Sequence, residues 1–480
     1  MKARFLKHSF IYTVVGALPL AASILLLPFY GNKYLLTTEQ FGLLAIYILL
    51  SDLSRLAFTF ALDNYLGVNY IHFAHDNNLR KAFIGTSFLL MLLIGGSMLL
   101  VFSAVGKFIL DAIYTSKNLV FFPYGFVSLL TGFFTAIFKG YSGLMIFQQK
   151  PKPYFWAHML HFSIVVIVSV VWLNVHRYSL DGPIYARLLG SVATFLWSLA
   201  YASREGTWEL DKKIVRDAIS FSLPLWIFYI LFWIISNIDR YIILSFLSAR
   251  EVAIFDMAIK VTLLLEFLQN GLSGAIFPEA FKIWKNYNDV PSSLKEINRY
   301  FNAFSLITLW GVPTTFIATL ILLPLFVNNQ ELYQAIDYLP ILLAGMIIRS
   351  WYYYEYGIIT YFKRTRILAW TFAIVAAIQI LFTYVGVKYA SLEGAMWANF
   401  SVKILQVFLL YLAIRSWFQF KPDIRIMFIM PLLFIVIVLI AYFFHFLPWQ
   451  HAAVQSLGIL ILTFLFFRKP MHTFREILSK

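Results

Sequence analysis

Apolar residues run along this chain in long blocks, and short polar stretches separate them. Fourteen blocks are long enough to cross a bilayer. Their approximate limits are 10–30, 40–62, 83–105, 119–141, 156–175, 183–203, 218–239, 251–277, 300–327, 339–361, 367–387, 393–415, 425–443 and 452–467. About 20 predominantly apolar residues span the hydrocarbon core as a helix. The connections are short, and no extramembrane domain is predicted. The fold class is therefore all-α: a polytopic membrane protein of about 14 transmembrane helices.

Lys2, Arg4 and Lys7 precede the first block, which superficially resembles a signal peptide. The apolar run is too long for that and a second span follows at once, so it reads as an uncleaved first helix. The longest loop, 278–299, mixes Phe281, Trp284 and Tyr287 with charges. An interfacial amphipathic segment and a solvated loop both fit it.

Basic residues choose the side of each loop. Of the 38 Lys and Arg, 25 lie in alternate loops on the side of the N-terminus, 7 lie on the opposite side and 6 lie within spans. The positive-inside rule then puts both termini in the cytoplasm.

Composition agrees. The 480 residues are 61% hydrophobic and only 13% charged, too few charges to cover a water-facing surface. The net charge of +15 sits in short loops, without a basic helix or a nucleic-acid module, so no nucleic-acid partner is expected. The absence of cysteine excludes disulfides, cysteine-ligated zinc and thiol chemistry.

The chain resembles itself at an offset near 211 residues. Ser9-Phe10 matches Ser220-Phe221, and Glu39-Gln40-Phe41-Gly42 matches Arg250-Glu251-Val252-Ala253. The turn 146–150 matches 359–363, and Leu180-Asp181-Gly182 matches Leu392-Glu393-Gly394. Such a repeat predicts a six-helix lobe over 1–210, a second over 211–420, and a final helix pair with a cytoplasmic tail over 421–480. Six spans per repeat preserve orientation, so the repeats are parallel, an arrangement suited to alternating access. A duplicated scaffold without transport is the competing interpretation.

Six basic residues fall inside spans: Arg55, Lys139, Arg187, Lys260, Arg349 and Lys403. Facing lipid, each would cost about 2.5–3.5 kcal/mol, and all six roughly 15–21 kcal/mol. They are therefore expected to face a wet cavity or a partner. Asp52, Arg55, Thr59 and Asp63 follow one stripe of the second span. The repeat carries Arg55 onto Glu266 and Thr59 onto Asn270. Asp256 and Lys260 are spaced to pair with each other. Lys139, Arg187, Arg349 and Lys403 have no opposite charge at helical spacing in their own spans, and Glu355 lies on a different face from Arg349. A basic cavity suits an anionic ligand such as a diphosphate. Asp52, Asp256, Glu266 and Glu355 are candidates for ion coupling or structural pairing.

There is no Walker A motif, no metal-spaced His/Cys cluster and no Ser/His/Asp arrangement, so neither an enzyme nor a bound cofactor is expected. His158 and His161 share a helix face and read as packed or interfacial.

The order of features resembles the polysaccharide (O-antigen type) flippases of the multidrug/oligosaccharidyl-lipid/polysaccharide exporter superfamily. It rests on the Phe41-Gly42 turn, on Asn237-Ile238-Asp239-Arg240-Tyr241 at the end of the seventh span, on the Lys-containing turns after spans four and ten, and on the Leu-acid-Gly repeats. The resemblance implies a V-shaped, two-lobed transporter with a cationic cavity. It implies transfer of an undecaprenyl-diphosphate-linked oligosaccharide to the periplasmic leaflet, with coupling to a proton or sodium gradient an open option. Asp239 and Arg240 fit the family pattern. The lipid-linked substrate and the bilayer are the expected partners, with other polysaccharide-assembly proteins as candidates. A cation-coupled drug or metabolite antiporter and a membrane glycan polymerase are the alternative functions.

Overall fold

The computed structural model describes residues 15, 18–114, 118–285, 290–418 and 422–467. Lys2, Arg4, Lys7, the Ser9-Phe10 repeat element, Tyr287 and the basic C-terminal tail lie outside them. The described residues form helices joined by short turns, with no strand among them. In chain order they are α1 (Leu18–Tyr30), α2 (Thr38–Thr59), α3 (Leu62–Phe73), α4 (Asn77–Tyr114), α5 (Phe126–Phe147), α6 (Pro151–Val175) and α7 (Asp181–Glu205). They continue as α8 (Lys212–Phe246), α9 (Ala249–Lys285), α10 (Val290–Phe326), α11 (Ala335–Tyr361), α12 (Thr365–Arg415), α13 (Met430–Phe443) and α14 (Pro448–Phe467). Ten helical stretches among the described residues are long and apolar enough to cross a membrane.

Local chemistry sets several boundaries. Thr37 starts α2 with a capping box: its hydroxyl accepts from the Gln40 amide at 3.1 Å, and the Gln40 side chain accepts from the Thr37 amide at 3.0 Å. Asp211 caps α8 by accepting from the amides of Lys213 and Ile214. At 51 residues, α12 would be roughly 75 Å long if straight, more than twice a bilayer core. Non-helical Ala390 and Ser391 break it into two spans, as the apolar pattern predicts. There Gly386 and Gly394 pack backbone to backbone; a methyl on Gly394 would sit 1.9 Å from the Gly386 carbonyl oxygen.

Two boundaries differ from the sequence reading. The second span ends at Thr59, because Phe60 and Ala61 are left-handed (φ 51° and 54°), and a separate helix follows. Trp226 on α8 supports this break: its indole N–H donates to the Ala57 carbonyl at 3.1 Å, and its ring lies 5.3 Å from that of Phe60. The break takes Asp63 out of register with Asp52, Arg55 and Thr59. The loop expected at 278–299 is helical on both sides of 286–289, continuing α9 through Lys285 and opening α10 at Val290.

By contact the chain forms two compact units, Met1–Ala253 with Val327–Asn329, and Ile254–Phe326 with Gln330–Lys480. In the first, α8 packs on α2, α3 and α4. Contact therefore groups α8 with the helices before it, whereas the sequence repeat groups it with those after it. The first unit's core includes Phe83, Phe88, Met91, Ile137 and Tyr141, all fully buried. In the second, Phe301 meets Tyr354 edge-on at 4.4 Å, and Phe304 meets Tyr353 at 5.3 Å.

Candidate functional site

In the first unit, a close helix crossing places the polar groups. A methyl on Gly132 of α5 would fall 2.4 Å from the Ser54 Cβ and 2.9 Å from the Arg55 amide nitrogen, so glycine lets α2 and α5 touch beside Arg55. Lys139 stands two turns further along the same face of α5. The charge of Asp63, carried in by α3, attracts the Lys139 ammonium, and Arg55 repels it. Arg55 approaches Asp52 only at 3.6 Å, with both side chains part-exposed, a geometry worth at most about 1 kcal/mol. No carboxylate lies within ion-pair distance of Lys139 or Arg187 among the described residues.

The sequence reading missed the two histidines as part of this group. His158 on α6 shares a 2.8 Å hydrogen bond with the Ser142 hydroxyl and packs its ring 4.4 Å from Tyr154 and 4.8 Å from Phe138. It feels the charge of Lys139, while His161 feels that of Arg187. Arg55, Lys139, His158, His161 and Arg187 thus form one electrostatically linked group carried by α2, α5, α6 and α7. The signal available in the sequence was the i, i+3 spacing of the histidines; what they face depends on tertiary packing.

Asp239 and Arg240 are buried in α8. The Arg240 guanidinium donates to the Ser236 carbonyl one turn back at 2.9 Å. Beside them, the Tyr241 hydroxyl donates to the Ile46 carbonyl at 3.3 Å, and the Tyr114 hydroxyl donates to the Tyr241 carbonyl at 3.2 Å. This signature stretch joins α8 to α2 and α4.

The second unit treats its charges differently. Asp256 and Lys260 form the 2.7 Å pair that their spacing allows. Arg349, which has no acid at helical spacing within its own helix, reaches across from α11 to Glu266 on α9 through two contacts of 2.8 Å. Two neighbours of Glu266 join the same seam. The Gln269 amide donates to the Met346 carbonyl at 2.8 Å, and the Asn270 side chain accepts from the Tyr353 hydroxyl at 2.6 Å. Their i, i+3, i+4 spacing puts all three on one face of α9. Lys403 of α12 donates to Asn399 at 2.6 Å and lies across Gly345, and its charge reaches Glu266. Glu355 is buried, and its Oε2 has no hydrogen-bond partner.

The site therefore offers electrostatics. Among the described residues, the first unit holds Lys139 and Arg187 without a carboxylate at ion-pair distance and Arg55 with a loose one, and the second holds partnered cations and a buried Glu355 whose Oε2 has no hydrogen-bond partner. Among the described residues no group of His, Asp and Glu could hold a metal ion.

Comparison with known proteins bears on this arrangement. The chain is similar in structure to the lipid II flippase MurJ in an inward closed conformation, with a TM-score of 0.71 at 14% identity over 96% of this chain and 99% of that one. It is also similar to an inward-facing multidrug resistance MATE family transporter of the MOP superfamily, with a TM-score of 0.68 at 14% identity over 83% and 94%. An outward-facing MATE transporter gives 0.55 at 14% identity over 86% and 96%. At such identities the likeness shows the fold, that of a multi-pass membrane protein of the MOP type. No curated protein matches the sequence. A family profile described as polysaccharide biosynthesis protein matches residues 34–329, more than half of the chain and all of the cationic group of the first unit. By that match, the chain belongs to the polysaccharide biosynthesis protein family.

Proposed function

We propose that this protein is a flippase that moves an undecaprenyl-diphosphate-linked oligosaccharide from the cytoplasmic to the periplasmic leaflet of a bacterial inner membrane, by alternating access of its two repeats. The observation that carries the reading is the uncompensated positive charge of the first unit. Lys139 has no carboxylate at ion-pair distance, and Arg55 has only a loose, part-exposed one. Cations at such depth are costly unless an anion visits them, and a diphosphate supplies two negative groups at a spacing that Arg and Lys can both meet. Arg187 adds to the local positive potential. Lys260, Arg349 and Lys403 already have partners, so in this reading they contact the head group only by exchanging them. The family match supports a role in polysaccharide assembly, and the lipid tail would remain in the bilayer while the head group passes. Both termini would lie in the cytoplasm. A proton or sodium gradient would drive the cycle, with Glu355 as the leading acid.

The test is glycan display in cells that depend on this protein. Arg55→Ala and Lys139→Ala should each reduce surface polysaccharide at least tenfold and leave lipid-linked precursor in the cytoplasmic leaflet, with unchanged amounts of protein in the membrane. Normal display by the double variant would refute the reading.

A further inference from the structure

Beside Arg187, the first unit forms a small, half-open pocket lined by Tyr47, Ile48 and Ser51 from α2, Ser128 and Thr131 from α5, and Ile184 and Arg187 from α7. It has room for about one water-sized occupant. The Nε of Arg187 is buried and has no hydrogen-bond partner. Most of the hydroxyls in the wall have already committed their protons. Tyr47 donates to the Val120 carbonyl at 2.9 Å, Ser128 to Tyr124 at 2.8 Å and Thr131 to Val127 at 2.8 Å. The Ser51 hydroxyl has no partner among the described residues, so it and the Arg187 guanidinium are the donors left to the pocket.

Charge decides what belongs there. Water would satisfy these donors but leave the guanidinium uncompensated, with Arg187 also acting on His161. The Arg187 side chain is part-buried with its Nε shut off from solvent, and a small anion beside it offsets its charge directly. We propose that this pocket binds a single-atom monovalent anion, chloride or bromide, held by the Nε–H of Arg187 and the hydroxyl of Ser51. This site stands apart from the glycolipid reading, which rests on Arg55 and Lys139.

The experiment uses the purified full chain in detergent at constant ionic strength, with sodium gluconate replaced stepwise by sodium chloride or sodium bromide. The unfolding temperature should rise saturably by about 1–3 °C with either halide. Arg187→Gln should abolish the rise. Ser51→Ala, which removes one hydrogen bond, should shift the half-saturating halide concentration upward by about five- to tenfold and keeps the test available if the arginine variant does not fold. Crystals grown in bromide should show an anomalous peak between Arg187 and Ser51. An unfolding temperature indifferent to halide, an undiminished rise in Arg187→Gln, or water without an anomalous peak at that position would overturn the proposal.

Discussion

Arg349 holds Glu266 with both arms of its guanidinium, Nη1 2.8 Å from Oε2 and Nη2 donating to Oε1 at 2.8 Å. The pair joins α11 to α9 at the level where Gln269 and Asn270 make their own bonds to α11. Both side chains keep some exposure, 19% for Arg349 and 29% for Glu266. The cost of breaking the pair is therefore discounted from that of a fully buried one, to about 1–3 kcal/mol. Glu266→Gln should lower the unfolding temperature of the detergent-purified protein. The charge swap combining Glu266→Arg with Arg349→Glu should recover part of the loss. A swap no better than the sum of its single variants would show that the two residues do not act as a pair.

Gly42 behaves against helix propensity. An alanine in a helix is ordinarily about 1 kcal/mol more favourable than glycine. A methyl on Gly42 would instead sit 1.8 Å from the Ala249 carbonyl oxygen and 3.1 Å from the Ala253 amide nitrogen. Both contacts are backbone, so neither can swing aside, and helix α2 would have to move. Gly42→Ala is expected to destabilise by roughly 2–4 kcal/mol, within the range for overpacked sites. Gly96, which has open space around its missing side chain, should tolerate alanine or gain from it. Thermal unfolding of the two variants side by side checks the opposite signs.

These two residues mark what the sequence could and could not reveal. Apolar block length made the helices legible, because the bilayer thickness constrains it directly. The split of α12 was legible from the same blocks. The break at Phe60 and Ala61 was not, since neither residue punctuates helices and the support comes from Trp226, more than 160 positions away. Spacing along a helix exposed the Asp256–Lys260 pair but could not find Glu266 for Arg349, because interhelix partners leave no periodic trace. The Phe41-Gly42 motif, expected as a turn before the second span, lies instead inside the first turns of α2, and the close approach of Ala249 explains its glycine.

Glu355 presents a different problem. It is 2% exposed, and its Oε2 lacks a hydrogen-bond partner. An ionised carboxylate so placed costs several kcal/mol, so a neutral amide of the same shape should be accepted there. Glu355→Gln is expected to change stability by less than about 1 kcal/mol. If this acid couples the cycle to protons, the same variant loses gradient-driven transfer of a fluorescent lipid-linked oligosaccharide in proteoliposomes while keeping its fold. Undiminished proton-driven transfer by Glu355→Gln would remove this acid from the coupling scheme.

The two Leu-acid-Gly turns of the repeat perform the same task within their own units. Asp181 accepts from the Tyr124 hydroxyl at 3.0 Å and from Ser179 at 2.9 Å. Glu393 accepts from the Tyr442 hydroxyl at 2.7 Å and from the Trp397 indole at 3.2 Å. In each case the acid anchors a tyrosine of another helix, and the following glycine allows close packing. Gly182 lies against the Trp172 side chain, where a methyl would be 2.8 Å away, and Gly394 lies against Gly386. A hydrogen bond to a charged acceptor contributes about 1.5–3 kcal/mol when sheltered and less when exposed. Tyr124→Phe and Tyr442→Phe should therefore each lower stability by about 0.5–2 kcal/mol. The loss at Tyr442 should be the smaller, because its bond to Glu393 is exposed whereas that of Tyr124 is part-buried. Each tyrosine variant should also reduce the effect of removing its own acid, Asp181→Ala or Glu393→Ala, and leave the other acid's effect unchanged. Two double-mutant cycles measure this directly, and full additivity within either pair would show that the tyrosine is not what the acid holds.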